Sequence, residues 1–230
     1  MKFCISRHGN LVLFESPAGR EHIRRGTILE GYNLCYYPDS EPIDYYDFGY
    51  DESWNWQEPY KFQQPGGPGT LPYTIYRKTK DGKLELVQTF TRNSSEREIV
   101  LKMAVYNRSP RTLREVWLSR SVDFDVNNTP GGDVFLATER SFIAYDGDLK
   151  PGVSVTMTPG VSVTEPSAAL LPAVYDFPEW QQGAGSCSFS FWVPTFTPTP
   201  PGDYVGVIRY RFLTIPPGAS RSVTLIYRAL

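Results

Sequence analysis

Histidine is scarce in this sequence, and cysteine nearly so. The 230 residues hold two histidines, His8 and His22, and three cysteines, Cys4, Cys35 and Cys187, with no C-x-x-C spacing. That is too few ligands, in the wrong pattern, for the usual zinc sites. The cysteines read as three small buried hydrophobes; the alternative is one disulfide with a thiol left over. Basic excess is also missing. Lys plus Arg number 23 against 25 Asp plus Glu, which is poor support for a nucleic-acid partner, and none is expected, since such partners usually need a basic face. No apolar run is long enough for a signal peptide or to cross a bilayer, which implies a soluble chain without membrane insertion; a trimmed export signal stays open. There is no G-x-S-x-G, Walker loop, dinucleotide fingerprint or H-E-x-x-H. No fixed repeat appears, so propellers and solenoids are set aside.

What the sequence has is turns and aromatics: 20 Pro, 19 Gly, 15 Tyr, 13 Phe and 5 Trp. Aromatic side chains fit a pleated, half-buried surface. No helical period persists, and period-two alternation recurs instead. Strands are expected at 2–6 and 11–15 around "RHGN", and at 73–79 and 83–92 around "DG", where Asp-Gly readily takes the positive φ of a tight turn. Others are expected at 98–106, 114–126, in "DVFLATE" and "SFIAYDG", and in the two long stretches flanking "PPGA". Leu101, Met103, Val105, Val116, Leu118, Val122 and Phe124 fall on apolar faces and form the expected core. One short helix is expected at 167–175, weakened by Pro172. The stretches 63–72 and 194–202 are loops by composition. The pattern predicts an all-β, antiparallel two-sheet sandwich, one domain over 1–230, with an alternative boundary near 63–72.

Residues 97–126, "REIVLKMAVYNRSPRTLREVWLSRSVDFDV", resemble the strand–Asn–loop–strand unit of bacterial immunoglobulin-like sandwich modules. "IPPGASRSVTLIYRA" resembles the last strand of such modules. The length is more similar to the supersandwich of sugar mutarotases and glycosidase accessory domains. These resemblances imply an adhesive, sugar-binding or accessory role, and slightly favour a location outside the cytoplasm.

The densest stretch is 36–62. It holds ten aromatics and seven acids, with no base before Lys61. Aromatic faces stack on sugar C–H surfaces while carboxylates and amides meet the hydroxyls. Trp54, Asn55, Trp56, Glu58 and Tyr50 are the candidate ligand contacts. On a regular strand Trp54 and Trp56 share one face, with Asn55 on the other. The competing reading is that these aromatics anchor a long loop over a sheet. A carboxylate pair for glycoside chemistry is conceivable among Asp44, Asp47, Asp51, Glu52 and Glu58. A mutarotase-like mechanism would need a histidine acid, for which His22 is the plausible choice.

"SVDFDVNNTPGGD", residues 121–133, lacks the Gly and the final acid of an EF-hand. No cofactor is expected, and a different calcium site using Asp123, Asp125, Asn127 and Asp133 is the lesser alternative. The plainer alternative is a solvated strand end running into a turn. Arg120 interrupts an apolar face, and an isolated buried charge is prohibitive. A structural ion pair is preferred over an anion clamp. The function expected is a non-catalytic binding or structural module, with a carbohydrate or protein ligand. The alternative is a carbohydrate-active enzyme using the carboxylates of 44–58. Oligomeric state is left open.

Overall fold

The computed structural model describes residues 1–23, 30–39, 41–50, 52–92, 97–128, 132–137, 141–146, 150–158, 170–176, 187 and 198–230. Two large sheets carry the chain. The six-stranded sheet contains β3 (Gly31–Tyr36), β4 (Ile43–Phe48), β5 (Glu52–Trp54), β10 (Leu113–Asp123), β14 (Leu170–Asp176) and β15 (Tyr204–Ile215), in the order β14-β15-β10-β3-β4-β5. The eight-stranded sheet contains β6 (Lys61–Gln63), β7 (Tyr73–Lys78), β8 (Leu84–Arg92), β9 (Glu98–Asn107), β11 (Asp133–Ala137), β12 (Ser141–Asp146), β13 (Lys150–Thr158) and β16 (Ser220–Ala229), in the order β11-β12-β13-β16-β9-β8-β7-β6. A separate hairpin pairs β1 (Lys2–Ile5) with β2 (Leu11–Glu15). All of these strand pairings are antiparallel. The protein is an all-β sandwich.

The alternating faces meet between the sheets. Leu101, Met103 and Val105 of β9 face Val116, Leu118 and Val122 of β10 in one buried cluster, with Phe124 just beyond. Phe124 packs on Phe142 at 5.6 Å and Phe135 at 6.3 Å between ring centroids. Residues 64–72 join β6 to β7 within one sheet.

Two expectations are corrected here. Residues 170–176, expected to be helical, form β14, and 167–169 lie outside the described residues. Pro172 fits because β14 is the edge strand of its sheet, where a missing N–H costs no ladder bond to a second neighbour. The cysteines do not all act as free hydrophobes. Cys35 and Cys187 are disulfide-bonded across 152 positions, beside Trp117, and Cys4 is an exposed thiol. A loop of that length is worth on the order of 5 kcal/mol in the chain-entropy account.

Candidate functional site

The segment from β5 to β6 passes from the edge of one sheet to the edge of the other, closing one side of the sandwich. It is stitched down by Lys80 N–H to Asn55 O at 2.6 Å, Gln57 N–H to Lys78 O at 2.9 Å and Tyr60 N–H to Tyr76 O at 3.1 Å. Asn55 takes φ 61°, a left-handed conformation that Asn tolerates better than most residues. That single residue breaks the alternation, so Trp54 and Trp56 do not share a face. Trp54 remains 56% exposed, whereas Trp56 is 9% exposed and belongs to the core. Trp56 meets Tyr32 and Tyr45 edge-on at 5.5 and 5.8 Å, with the Arg77 guanidinium 5.3 Å from its ring. The expected two-indole platform is therefore replaced by a different strip. Trp54 stacks on Tyr46 at 6.4 Å and 13°, and Tyr46 stacks on Phe48 at 5.7 Å and 27°.

The Asn55 side-chain amide is occupied by the Asp44 carbonyl at 3.0 Å. Tyr50, Tyr60 and Phe62 are also exposed, at 39%, 53% and 48%. Phe62 lies parallel to Tyr73 at 6.2 Å, and the Tyr60 hydroxyl donates to Glu85. Every large aromatic exposed among the described residues thus lies between Tyr50 and Phe62.

The carboxylates of this region do not converge. Asp44 and Asp47 are three apart on β4 and point to opposite faces. Asp44 accepts the Cys187 N–H at 3.1 Å, and burial raises its pKa to about 6 against that bond and the Arg209 charge. Asp47 is buried in the interior. It accepts Asn10 Nδ2 at 2.6 Å and Arg77 Nη1 at 2.5 Å, and Arg77 also donates to Tyr32 Oη at 2.9 Å and Gln57 O at 2.7 Å. Glu52 and Glu58 are exposed, and Asp51 lies outside the described residues.

His8, read from sequence only as part of a turn, is the histidine that meets this region. It is buried, with Nδ1 3.0 Å from Asp47 Oδ2 and Nε2 3.6 Å from Glu58 Oε2, although its ring is not oriented to hydrogen-bond either. Gly9 makes the approach possible. Its φ is +91°, and a Cβ there would lie 2.2 Å from the Gln88 amide nitrogen. His22, the expected acid, instead places Nε2 2.9 Å from Ser16 O, and burial lowers its pKa.

Arg120 is a buried ion-pair partner, as preferred. It reaches Glu30 Oε1 at 2.5 Å, Tyr227 Oη at 3.0 Å, Gln88 Oε1 at 3.0 Å and Gly9 O at 3.1 Å. The 121–133 stretch is not a solvated strand end. Asp123, Asp125 and Asp133 are all buried. Burial raises the Asp133 carboxyl to about 8, despite a bond from Val126 N–H, and Asp125, Asp123 and Asp146 add to the rise. Asn127, at φ 60°, donates Nδ2 to Asp146 Oδ2 at 3.0 Å. Among the described residues, the set of three His, Cys, Asp or Glu side chains with ligand atoms within 4.8 Å of one another is Cys35, Asp44 and Cys187. Asp123, Asp125 and Asp133 do not form such a set.

No protein-family model and no curated protein matches the chain. Solved structures do. A bacterial glucoamylase complexed with acarbose superposes with a TM-score of 0.58 at 8% identity, over 99% of this chain and 30% of that one. A polysaccharide lyase superposes with a TM-score of 0.51 at 11% identity, over 99% of this chain and 32% of that one. At such identities the likeness is one of fold, and the chain spans about a third of either protein.

Proposed function

We propose that this chain is a non-catalytic carbohydrate-binding module of the supersandwich type. The observation that carries the reading is the exposed Trp54–Tyr46 stack, with Tyr60 and Phe62 on the edge-crossing segment and Tyr50 in the β4–β5 turn that leads into it. Exposed aromatics gathered in one place cost solubility without stabilising the core, and flat ring faces are what sugar C–H surfaces stack on. The two carbohydrate-active structural neighbours agree with it. The Cys35–Cys187 bond supports an oxidising compartment, where disulfides persist.

Hydrolysis is the weaker reading. It takes two carboxyl groups facing one glycosidic bond. Asp44 and Asp47 face opposite ways, and Asp47 is held by Asn10 and Arg77 in the interior. His8 and Asp47 are both buried, which keeps this pair away from the exposed aromatic strip.

The test is a binding panel of neutral oligosaccharides read by tryptophan fluorescence. Trp54→Ala should weaken binding by about tenfold or more, near 1.4 kcal/mol, and leave the fold intact. Trp56→Ala should instead destabilise the fold by roughly 3–5 kcal/mol, as for other buried aromatics. A panel with no binder, or a Trp54→Ala protein that binds like the parent, would end the proposal.

A further inference from the structure

One end of the sandwich holds a cavity of about 360 Å³. Its walls are the turn after β3, the β7–β8 turn and the β9–β10 connection. It lies apart from the Trp54 strip, since Tyr36 pairs with Ile43 at one end of β4 while Trp54 and Glu52 pair with Tyr46 and Phe48 toward the other.

The walls are fixed by buried bonds. Asn107 Oδ1 accepts Ser109 N–H at 2.8 Å and Ser109 Oγ at 2.7 Å, and Asn107 Nδ2 donates to Arg111 O and Ile215 O, both at 2.7 Å. Arg108 N–H to Lys83 O at 2.8 Å ties this loop to the neighbouring turn. Tyr36 is buried at the base, its hydroxyl on Asp81 at 2.9 Å. A shape held this way is formed before any ligand arrives, which lowers the ordering cost of binding.

The lining is positive. Lys83, Arg111 and Arg114 face it against one acid, Asp39. Neither guanidinium is ion-paired among the described residues. Lys83 is 3.7 Å from Asp81, which already accepts Thr79 Oγ1, Tyr36 Oη and Lys83 N–H. Lys83 is thus partly answered by Asp81, and the two guanidiniums are the local excess that no ion pair among the described residues uses, in a chain of net charge −2. The guanidinium fork matches carboxylate and sulfate geometry. Half-buried Tyr37 adds apolar surface, and the volume is that of a small-ligand pocket.

We propose that this cavity binds the acidic group of a carboxylated or sulfated saccharide, independently of the Trp54 strip. The saccharide part rests on the carbohydrate reading above, whereas the selectivity for an anion does not.

The experiment is amide and indole NMR on the full chain, titrated with glucose, glucuronate, glucose 6-sulfate and inorganic sulfate. The amides of Lys83, Ser109, Arg111 and Arg114 should shift with glucuronate, glucose 6-sulfate or both. They should not shift with glucose, and whichever anion acts names the group. Arg111→Gln combined with Arg114→Gln should weaken that response about tenfold or more, the loss of one strong charge-assisted contact. The Trp54→Ala protein should respond like the parent. Equal shifts with glucose, no shift with any anion, or an undiminished response in the double variant would overturn the site. A response to inorganic sulfate as strong as to the sugars would overturn the saccharide part. The indole signal of Trp54 with neutral oligosaccharides reports separately on the strip.

Discussion

Two clusters of buried charge sit in this sandwich, and they are built in opposite ways. Around Arg120 and Arg77, each guanidinium meets a carboxylate and neutral acceptors. Glu30, Tyr227, Gln88 and Gly9 O surround the first, and Asp47, Tyr32 and Gln57 O the second. Around Asp133, carboxylates face carboxylates. Asp123, Asp125 and Asp146 all push its pKa upward once burial has begun to do so. The first arrangement keeps its charges by satisfying them. The second lowers its charge by holding a proton. The first therefore fails when a partner is removed, and the second responds to pH.

The largest effect is expected from breaking the satisfied cluster. Arg120→Ala should cost about 3–5 kcal/mol, because it leaves Glu30 buried without its cation. Urea denaturation measures this. Arg120→Met combined with Glu30→Leu sharpens the point. An ion pair replaced by apolar groups of similar size is often tolerated, so the double variant should lose less than the sum of the singles. Additive losses would mean that the pair is not the unit of stability.

This cluster also marks how far the sequence could be read. Arg120 stood out as one charge on an apolar face, and the strands either side were legible from alternation. Its partner was not, because Glu30 lies 90 positions away and only the sheet order brings them together. The same limit hid the Cys35–Cys187 bond. Trp56 failed for a local reason. Alternation assumes that every residue is extended, and Asn55 at φ 61° is not. The aromatic density of 36–62 was plain, but which rings face out depends on that one torsion. His8 was missed because a turn motif says nothing about where the turn docks.

The second effect is on pH dependence. A folded pKa of about 8, against an ordinary 3.8, means that the folded state holds the Asp133 proton more tightly than the unfolded chain does. The stability gained is full below the ordinary value and is lost as pH rises through about 8. Burial raises Glu21 to about 7, partly offset by backbone bonds, and Glu21 acts in the same direction. The melting temperature should therefore fall between roughly pH 5.5 and roughly pH 8.5. Asp133→Asn keeps an acceptor for Val126 N–H and removes the titration, so its curve should be flatter over that window. Parallel curves for the parent and the variant would remove Asp133 from the explanation.

The smallest effect is expected from calcium, at the same place. Asp123, Asp125, Asn127 and Asp133 have the right atoms for a calcium ion, which takes six to eight oxygens at about 2.3–2.6 Å. Two oxygens on one ion are thus no more than about 5 Å apart. The carboxylates of Asp123, Asp125 and Asp133 do not meet that limit as a set. Asn127 has turned its amide nitrogen to Asp146. Binding would first have to strip the proton from Asp133 and then draw the strand end and the turn together. The fairest trial is therefore near pH 8, where that proton is most easily lost. There, calcium at about 1–5 mM should leave the melting temperature essentially unchanged, because a site that must be rebuilt on binding pays for the rebuilding in affinity. A clear rise that magnesium does not reproduce and that Asp125→Asn abolishes would show instead that this crowd of acids is an ion site, and that its raised pKa describes the site without its ion.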